Sequence, residues 1–262
     1  MAQPLHDTLG TVVRYRWLLF ELVKRDLKLR YRGSILGVAW TLLNPLIFMA
    51  IYTLVFSVYL KTGLPNFPLF LLAGLVPWTW VSTAISQASN SIVDGGAYVG
   101  KTLMPIELLV IVPVLSNGVN FLITIALLFP VSLFLGVNVG WALLFLPLLL
   151  LIELVLTLGI SLLVATANVF YRDLQQLVGY AIMALFFLTP IFYARAAVPA
   201  KLQFLVTFSP FAALISSYQA VFYYGVVPSW RDLLFAAAFG AIVLVLALLS
   251  FNRYRDAFAE YV

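Results

Sequence analysis

The sequence predicts an all-α polytopic membrane protein with six transmembrane helices, an N-terminal amphipathic interface helix and short re-entrant helices before the last span. Three observations lead there. The chain is 64% hydrophobic and only 10% charged, against roughly half apolar and about a quarter charged in a soluble domain. Its mean hydropathy is +1.07, more apolar surface than a chain of this size hides from water, so its solvent is lipid. Its apolar runs are long and continuous, which suits helices of about 20 residues, whereas a spanning barrel needs alternating segments of about ten.

The elements follow in order. Residues 12–32 are strongly charged, and Arg14, Glu21, Arg25, Lys28 and Arg32 fall within about 40° of one direction on a helical wheel. Val13, Phe20, Val23, Leu27 and Tyr31 take the other side, flanked by Arg16, Lys24 and Arg30, whose stems reach along apolar surface while their heads stay wet. This pattern predicts a helix lying in the membrane surface; a solvated helix that grips a soluble partner is the alternative, and the two are compatible. Gly33 and Gly37 end it. Spans are predicted at residues 38–60, 69–90, 106–135, 141–169, 177–193 and 233–251. The first carries a kink signal at Asn44-Pro45, and the second turns polar at Ser82, Thr83, Ser86, Gln87 and Asn90. Between residues 195 and 228, Pro199, Pro210, Gly225 and Pro228 cut an aromatic-rich stretch into pieces too short to cross about 30 Å at 1.5 Å per residue. Re-entrant half-helices are expected there.

Of the 15 Lys and Arg residues, eleven fall on the side of the N-terminal segment, Lys101, Arg172, Arg253 and Arg255 among them. Lys61, Arg195, Lys201 and Arg231 fall on the other. That bias predicts both termini in the cytoplasm. The charges scattered through the first thirty residues do not read as a cleavable signal peptide. With no cysteine and a single histidine, His6, ahead of the spans, neither a disulfide framework nor a metal site is expected.

Gly95-Gly96-Ala97-Tyr98-Val99-Gly100-Lys101-Thr102 satisfies the phosphate-cradling pattern G-x-x-x-x-G-K-[ST]. That loop works between a strand and a helix N-terminus. Here a predicted span precedes it and Pro105 follows, so it reads as a flexible loop at the membrane surface. Glu153 lies within the fourth predicted span. A carboxyl in lipid is costly and often functional; a proton- or substrate-handling role and a hydrogen-bonded tie between helices both fit. Glu107, Arg172 and Asp173 sit at span ends, where charges are cheap. Trp40, Phe48, Tyr52, Phe56 and Tyr59 on the first span, and Tyr180, Phe187 and Tyr193 on the fifth, offer ring faces that suit sugars; interfacial belts use such residues too.

The run Leu22-Val23-Lys24-Arg25-Asp26-Leu27-Lys28-Leu29-Arg30-Tyr31-Arg32-Gly33-Ser34-Ile35-Leu36-Gly37-Val38-Ala39-Trp40, followed by Leu43-Asn44-Pro45-Leu46, resembles the opening of polysaccharide-export permeases of ATP-binding-cassette transporters. Ala73-Gly74-Leu75-Val76-Pro77-Trp78, Lys101-Thr102-Leu103-Met104-Pro105 and Asn168-Val169-Phe170-Tyr171-Arg172-Asp173 extend the likeness. Thr189-Pro190-Ile191-Phe192-Tyr193 and Ser209-Pro210-Phe211 complete it over nearly the whole chain. The resemblance implies a single permease domain over residues 1–262 in a bacterial cytoplasmic (inner) membrane, with no catalytic residues and no cofactor of its own. It implies a homodimer with two separate ATPase subunits, which carry the ATP and magnesium, and a polyprenyl-linked polysaccharide such as O-antigen, capsule or a teichoic-acid precursor. It further implies contact with membrane lipids and none with nucleic acid.

By the same resemblance, the helix at 12–32, with Arg25, Lys28 and Arg32, would meet the ATPase. The loop at Lys101, Thr102 and Pro105 would dock into it, and Arg172 and Asp173 would make a second contact. The first, second and fifth spans would line a tunnel, Trp78 adding to the aromatics named above. Glu153 matches no recognised feature of the family. A drug or small-lipid exporter with the same fold is the alternative reading. An intramembrane enzyme would need acids, bases or metal ligands clustered at one depth, and the spans offer little beyond Glu153.

Overall fold

The structure is a computed structural model that describes residues 6–61, 63–96, 104–137 and 139–261. Among these residues every regular element is helical and there is no strand. The N-terminal arm comprises α1 (His6–Arg14) and α2 (Arg16–Tyr31). Where the charge pattern predicts one helix over 12–32, the chain makes two, separated at Tyr15 (φ −99°, ψ 18°). The hydrogen bonds from Tyr15 N–H to Thr11 O and from Leu19 N–H to Tyr15 O, both 2.9 Å, run through the junction. The break lies between these two bonds, at a residue whose ψ departs from the helical value.

Gly33 (φ +76°) and Gly37 (φ +49°) occupy left-handed backbone that a side chain would strain. A 3₁₀ turn at Gly37–Ala39 then enters α3 (Trp40–Thr53), which holds Pro45 inside it and continues as a π-helix over Leu54–Tyr59. The π-turn is a departure from the plain α-helical span that apolar length alone suggests.

At the centre stands α4 (Phe67–Asp94), with Leu69, Leu71 and Ala73 fully buried. Against it α5 (Glu107–Phe134) runs antiparallel, for Trp80 lies beside Gly118 while Gly95, at the other end of α4, lies beside Leu109. A 3₁₀ turn at Gly140–Phe145 opens α6 (Leu146–Phe170), and α10 (Trp230–Tyr254) lies along it. These two helices are parallel: Phe145 stacks edge-on with Trp230, Leu156 meets Gly240, Gly159 meets Leu244 and Phe170 meets Tyr254. Because α6 ends and α10 begins at opposite ends of the bundle, residues 171–229 must make one net crossing.

That crossing belongs to α7 (Leu174–Leu188). It starts beside the end of α6, where Gln175 N–H bonds the Asn168 side chain at 3.0 Å, and delivers Ile191 against Gly74 of α4. Among the described residues five helices are long and apolar enough to span on their own, and α7 makes the sixth crossing although its 15 residues reach only about 22 Å. It stops at Leu188 where apolarity predicts helix to 193. Pro190 has no N–H and disfavours helical backbone at Thr189, which is extended (φ −86°, ψ 137°).

The stretch predicted to be re-entrant contains α8 (Gln203–Thr207) and α9 (Pro210–Phe222), bent by 88°. Phe211, at the start of α9, meets Trp78 well inside α4, and Tyr223, just after it, donates to Pro65 O at 2.6 Å beyond the start of α4. The pair therefore dips in and returns to the same end. After α10, the short α11 (Phe258–Tyr261) folds back on Phe170 and Phe251.

Between helices in lipid the attraction is close packing, and small residues set how near backbones come. A Cβ added at Gly159 would lie 2.8 Å from the Leu244 backbone nitrogen, whereas one at Gly179 meets nothing within 4 Å. Gly159→Ala is therefore expected to lower stability by about 1–3 kcal/mol through overpacking, read as a lower melting temperature in detergent. Gly179→Ala should leave that temperature unchanged or raise it.

Candidate functional site

The end of the bundle that carries α1 and α2 gathers most of the residues singled out for contact with a partner. Leu19, Leu22 and Val23 of α2 pack on Leu108, Ile111 and Leu115 of α5. Arg25, Lys28 and Arg32 remain exposed, and among the described residues no carboxylate pairs with them.

Arg30 behaves differently. The pattern suggests a snorkelling cation at the flank of an apolar stripe, but its guanidinium turns inward. It donates to Asn117 Oδ1 at 2.7 Å and to Gln87 Oε1 at 2.9 Å, and pairs with Asp26 at 3.3 Å. Asn117 in turn donates to Gln87 Oε1 at 2.9 Å and to Pro113 O at 2.8 Å. Beside it, Tyr31 Oη donates to Asn120 Oδ1 at 2.9 Å and lies 2.6 Å from Thr41 Oγ1. These bonds join the arm to α3, α4 and α5 at once, around a cavity of about 280 Å³ that Trp40, Asn44 and Trp80 also line. Hydrogen bonds involving a charged group are worth about 1.5–3 kcal/mol each, so the joint resists separation. Its signal in the sequence is Asn117 and Asn120, one helical turn apart in an otherwise apolar run.

Other contacts tie this end together. Pro105 is buried. Glu107, fully buried at the start of α5, pairs with Arg255 after α10 at 3.1 Å. Asn168 donates to Asn90 Oδ1 at 3.2 Å and accepts from Gln175 N–H, bracing the exposed turn that holds Tyr171, Arg172 and Asp173. Lys101 and Thr102 lie outside the described residues, as does most of the phosphate-loop-like string. Its first residues, Gly95 and Gly96, follow a helix, where a phosphate-cradling loop needs a strand. Among the described residues there is no group of three or more His, Cys, Asp or Glu side chains placed to hold a metal ion.

On another flank an aromatic seam joins the first span to α7. Phe48 stacks with Tyr52 at 6.2 Å, Tyr52 approaches Phe186 at 5.8 Å, and Phe56 stacks on Phe192 at 4.7 Å. Phe56 and Tyr59 lie in the π-helical turn, a feature often found at functional positions. Tyr193 Oη caps the end of α7 by donating toward the carbonyls of Phe187 (3.1 Å) and Leu188 (2.9 Å). Trp40, Phe48, Tyr59, Tyr180 and Phe187 are exposed on this chain, while Tyr52, Phe56 and Tyr193 are half-buried. Trp78 stands behind the seam, 5% exposed, against Phe186.

Glu153 is fully buried, and Tyr218 of α9 donates to its Oε2 at 2.5 Å. Its Oε1 has no hydrogen-bond partner. The carboxyl thus ties α6 to the re-entrant helix, through a partner 65 residues away that no local pattern reveals.

Residues 18–223 match the ABC-2 type transporter family, and the chain belongs to that family: it is a membrane subunit of a transporter and not a catalytic enzyme. Among its relatives is the O-antigen export system permease protein RfbA of Myxococcus xanthus, 35% identical over 249 residues, covering 94% of this chain and 96% of the relative. An O-antigen export system permease protein RfbA of Klebsiella pneumoniae is 32% identical, covering 93% and 94% of the two chains. The polysialic acid transport protein KpsM of Escherichia coli is more distant, 20% identical over 90% of this chain and 93% of its own.

The Glu153–Tyr218 tie can be tested by its asymmetry. Tyr218→Phe leaves a buried carboxyl without its donor and should cost about 1–3 kcal/mol. Glu153→Gln keeps an acceptor and should cost less, and Glu153→Leu combined with Tyr218→Phe should recover most of the loss. Melting temperatures of the purified variants read all three.

Proposed function

We propose that this chain is the membrane-spanning subunit of an ATP-driven exporter that carries a polyprenyl-linked polysaccharide of O-antigen type out of the cytoplasm of a bacterium. In this reading two copies form the conduit in the cytoplasmic membrane, both termini face the cytoplasm, and two separate ATPase subunits hold ATP and magnesium. The names of the relatives support the cargo, and the excess of Lys and Arg on the arm side supports the orientation.

The observation that carries the mechanism is the joint at Arg30 and Tyr31. An ATPase gripping the exposed Arg25, Lys28 and Arg32 would pull on α2, and α2 is bonded directly to α3, which carries one side of the seam, and to α4, which backs it with Trp78. The loop at Lys101 and Thr102, with the buried Pro105 behind it, and the turn at Arg172 and Asp173 are the further contacts proposed for that partner. Closure of the ATPase pair on ATP then shifts α3, α4 and α5 together and opens the space between two copies. Trp40, Phe48, Tyr52, Phe56, Tyr59, Tyr180, Phe187 and Tyr193 would present ring faces there to the C–H faces of passing sugars, with Trp78 as backing.

Two measurements test this. Charge reversal at Arg25, Lys28 and Arg32 together should abolish co-purification of the ATPase while the permease itself is made at normal levels; unchanged recovery would remove the docking role. Depletion of the protein in its host should strand lipid-linked glycan on the cytoplasmic side with loss of surface polymer. Unchanged surface polymer would reject the cargo.

A further inference from the structure

An apolar groove of about 590 Å³ runs between α5 and α6, on the side of α4 away from the seam. Leu115, Val119 and Leu122 form one wall and Leu150, Leu151 and Leu154 the other. Trp80 makes the floor. Its indole N–H is satisfied by Val114 O at 3.0 Å, so it offers the groove only apolar ring. Gly118 permits this, for a Cβ there would lie 2.9 Å from the Trp80 ring. The mouth of the groove is overhung by α2, where Arg16, Phe20 and Val23 line it.

A second hollow, of about 1010 Å³, continues from that mouth along the underside of α2 and shares Phe20, Val23 and Val119 with the first. Lys24, Arg25, Lys28 and Arg32 edge it. The one carboxylate on its lining, Glu21, is paired with Lys24 at 3.6 Å. Among the described residues Arg16, Arg25, Lys28 and Arg32 have no carboxylate partner. A long apolar trough at membrane depth thus opens under a row of unpaired cations at the surface.

We propose that this groove binds an anionic glycerophospholipid, with an acyl chain lying over Trp80 between α5 and α6 and the phosphate held under α2 by Arg16. The charge pattern selects this occupant. A zwitterionic lipid would bring its own cation against the unpaired Arg16 at the mouth, whereas an anionic headgroup neutralises it, and basic pockets beside spans bind such lipids. Arg25, Lys28 and Arg32 stand further along the arm, where the ATPase is proposed to grip. The lipid would wedge between arm and bundle and set the position of α2, whatever the cargo.

The test uses the full-length protein in mild detergent, with phosphatidylglycerol and phosphatidylethanolamine competing at equal concentration and retained lipid counted by native mass spectrometry. Phosphatidylglycerol is expected to be retained preferentially and to raise the melting temperature. Arg16→Gln should lower that retention about five-fold, the worth of one basic residue near a headgroup. Leu151→Trp fills the trough from an exposed position (57%); it should abolish retention while leaving the lipid-free melting temperature unchanged. Equal retention of the two lipids, or unaltered retention in Leu151→Trp, would overturn the proposal even if Arg16→Gln failed to fold. Displacement of phosphatidylglycerol by equimolar undecaprenyl pyrophosphate would also overturn it, by assigning the groove to the cargo lipid.

Discussion

Helices surrounded by hydrocarbon gain little from hiding apolar surface against one another, because lipid tails are as apolar as leucine. Their positions must be set by how closely backbones approach and by the few polar groups that find partners. Here α6 and α10 approach closely, where Gly159 and Gly240 bring each helix against the backbone of the other. From that parallel pair follow the single crossing assigned to α7 and the return of α9 to the end where it began. The buried side of α4 fills the space between this pair and α5, and the first span is left on the outside with little of its own surface covered.

Polar groups do the remaining positioning, and they divide by location. At the arm end they form a branched set in which Arg30, Gln87 and Asn117 each satisfy more than one neighbour. Nearer the opposite end the ties are separate ones: Tyr218 to Glu153, with one carboxyl oxygen unmatched, Gln219 to Pro190 O at 2.9 Å, Tyr223 to Pro65 O, and Arg195 to Asp232 at 2.9 Å. A branched network holds several helices in one geometry; a single bond fixes one contact and leaves rotation about it. The arm end is consequently held by one shared network, and the re-entrant helices by several independent bonds.

Much of the fold was legible in the sequence because lipid imposes a coarse rule: runs of apolar residues near span length become helices. The stretch between 195 and 228 was legible for the opposite reason, since its prolines cut it too short. Boundaries were less so. The end of α7 at Leu188 depends on Pro190, whose effect on Thr189 outweighs the apolar residues that follow. The inward turn of Arg30 was hidden because a helical wheel treats the arm alone, while its acceptors lie 57 and 87 residues further on. The same distance effect hid Tyr218 from Glu153. The π-turn had no composition signal, because Leu54–Tyr59 reads as ordinary apolar helix.

That turn has a bearing on how the first span can vary. A π-turn takes in more residues than an α-turn over a similar rise, so the stretch Leu54–Tyr59 stores about one residue of surplus chain. Losing a residue there would let the segment relax to ordinary α-geometry with its length across the bilayer nearly kept. Because the wider turn had absorbed that residue, Leu60 and the loop to α4 would keep nearly their present phase. The first span is thus tolerant of a one-residue loss in its last turn, whereas residue type there is held by the seam, where Phe56 stacks on Phe192.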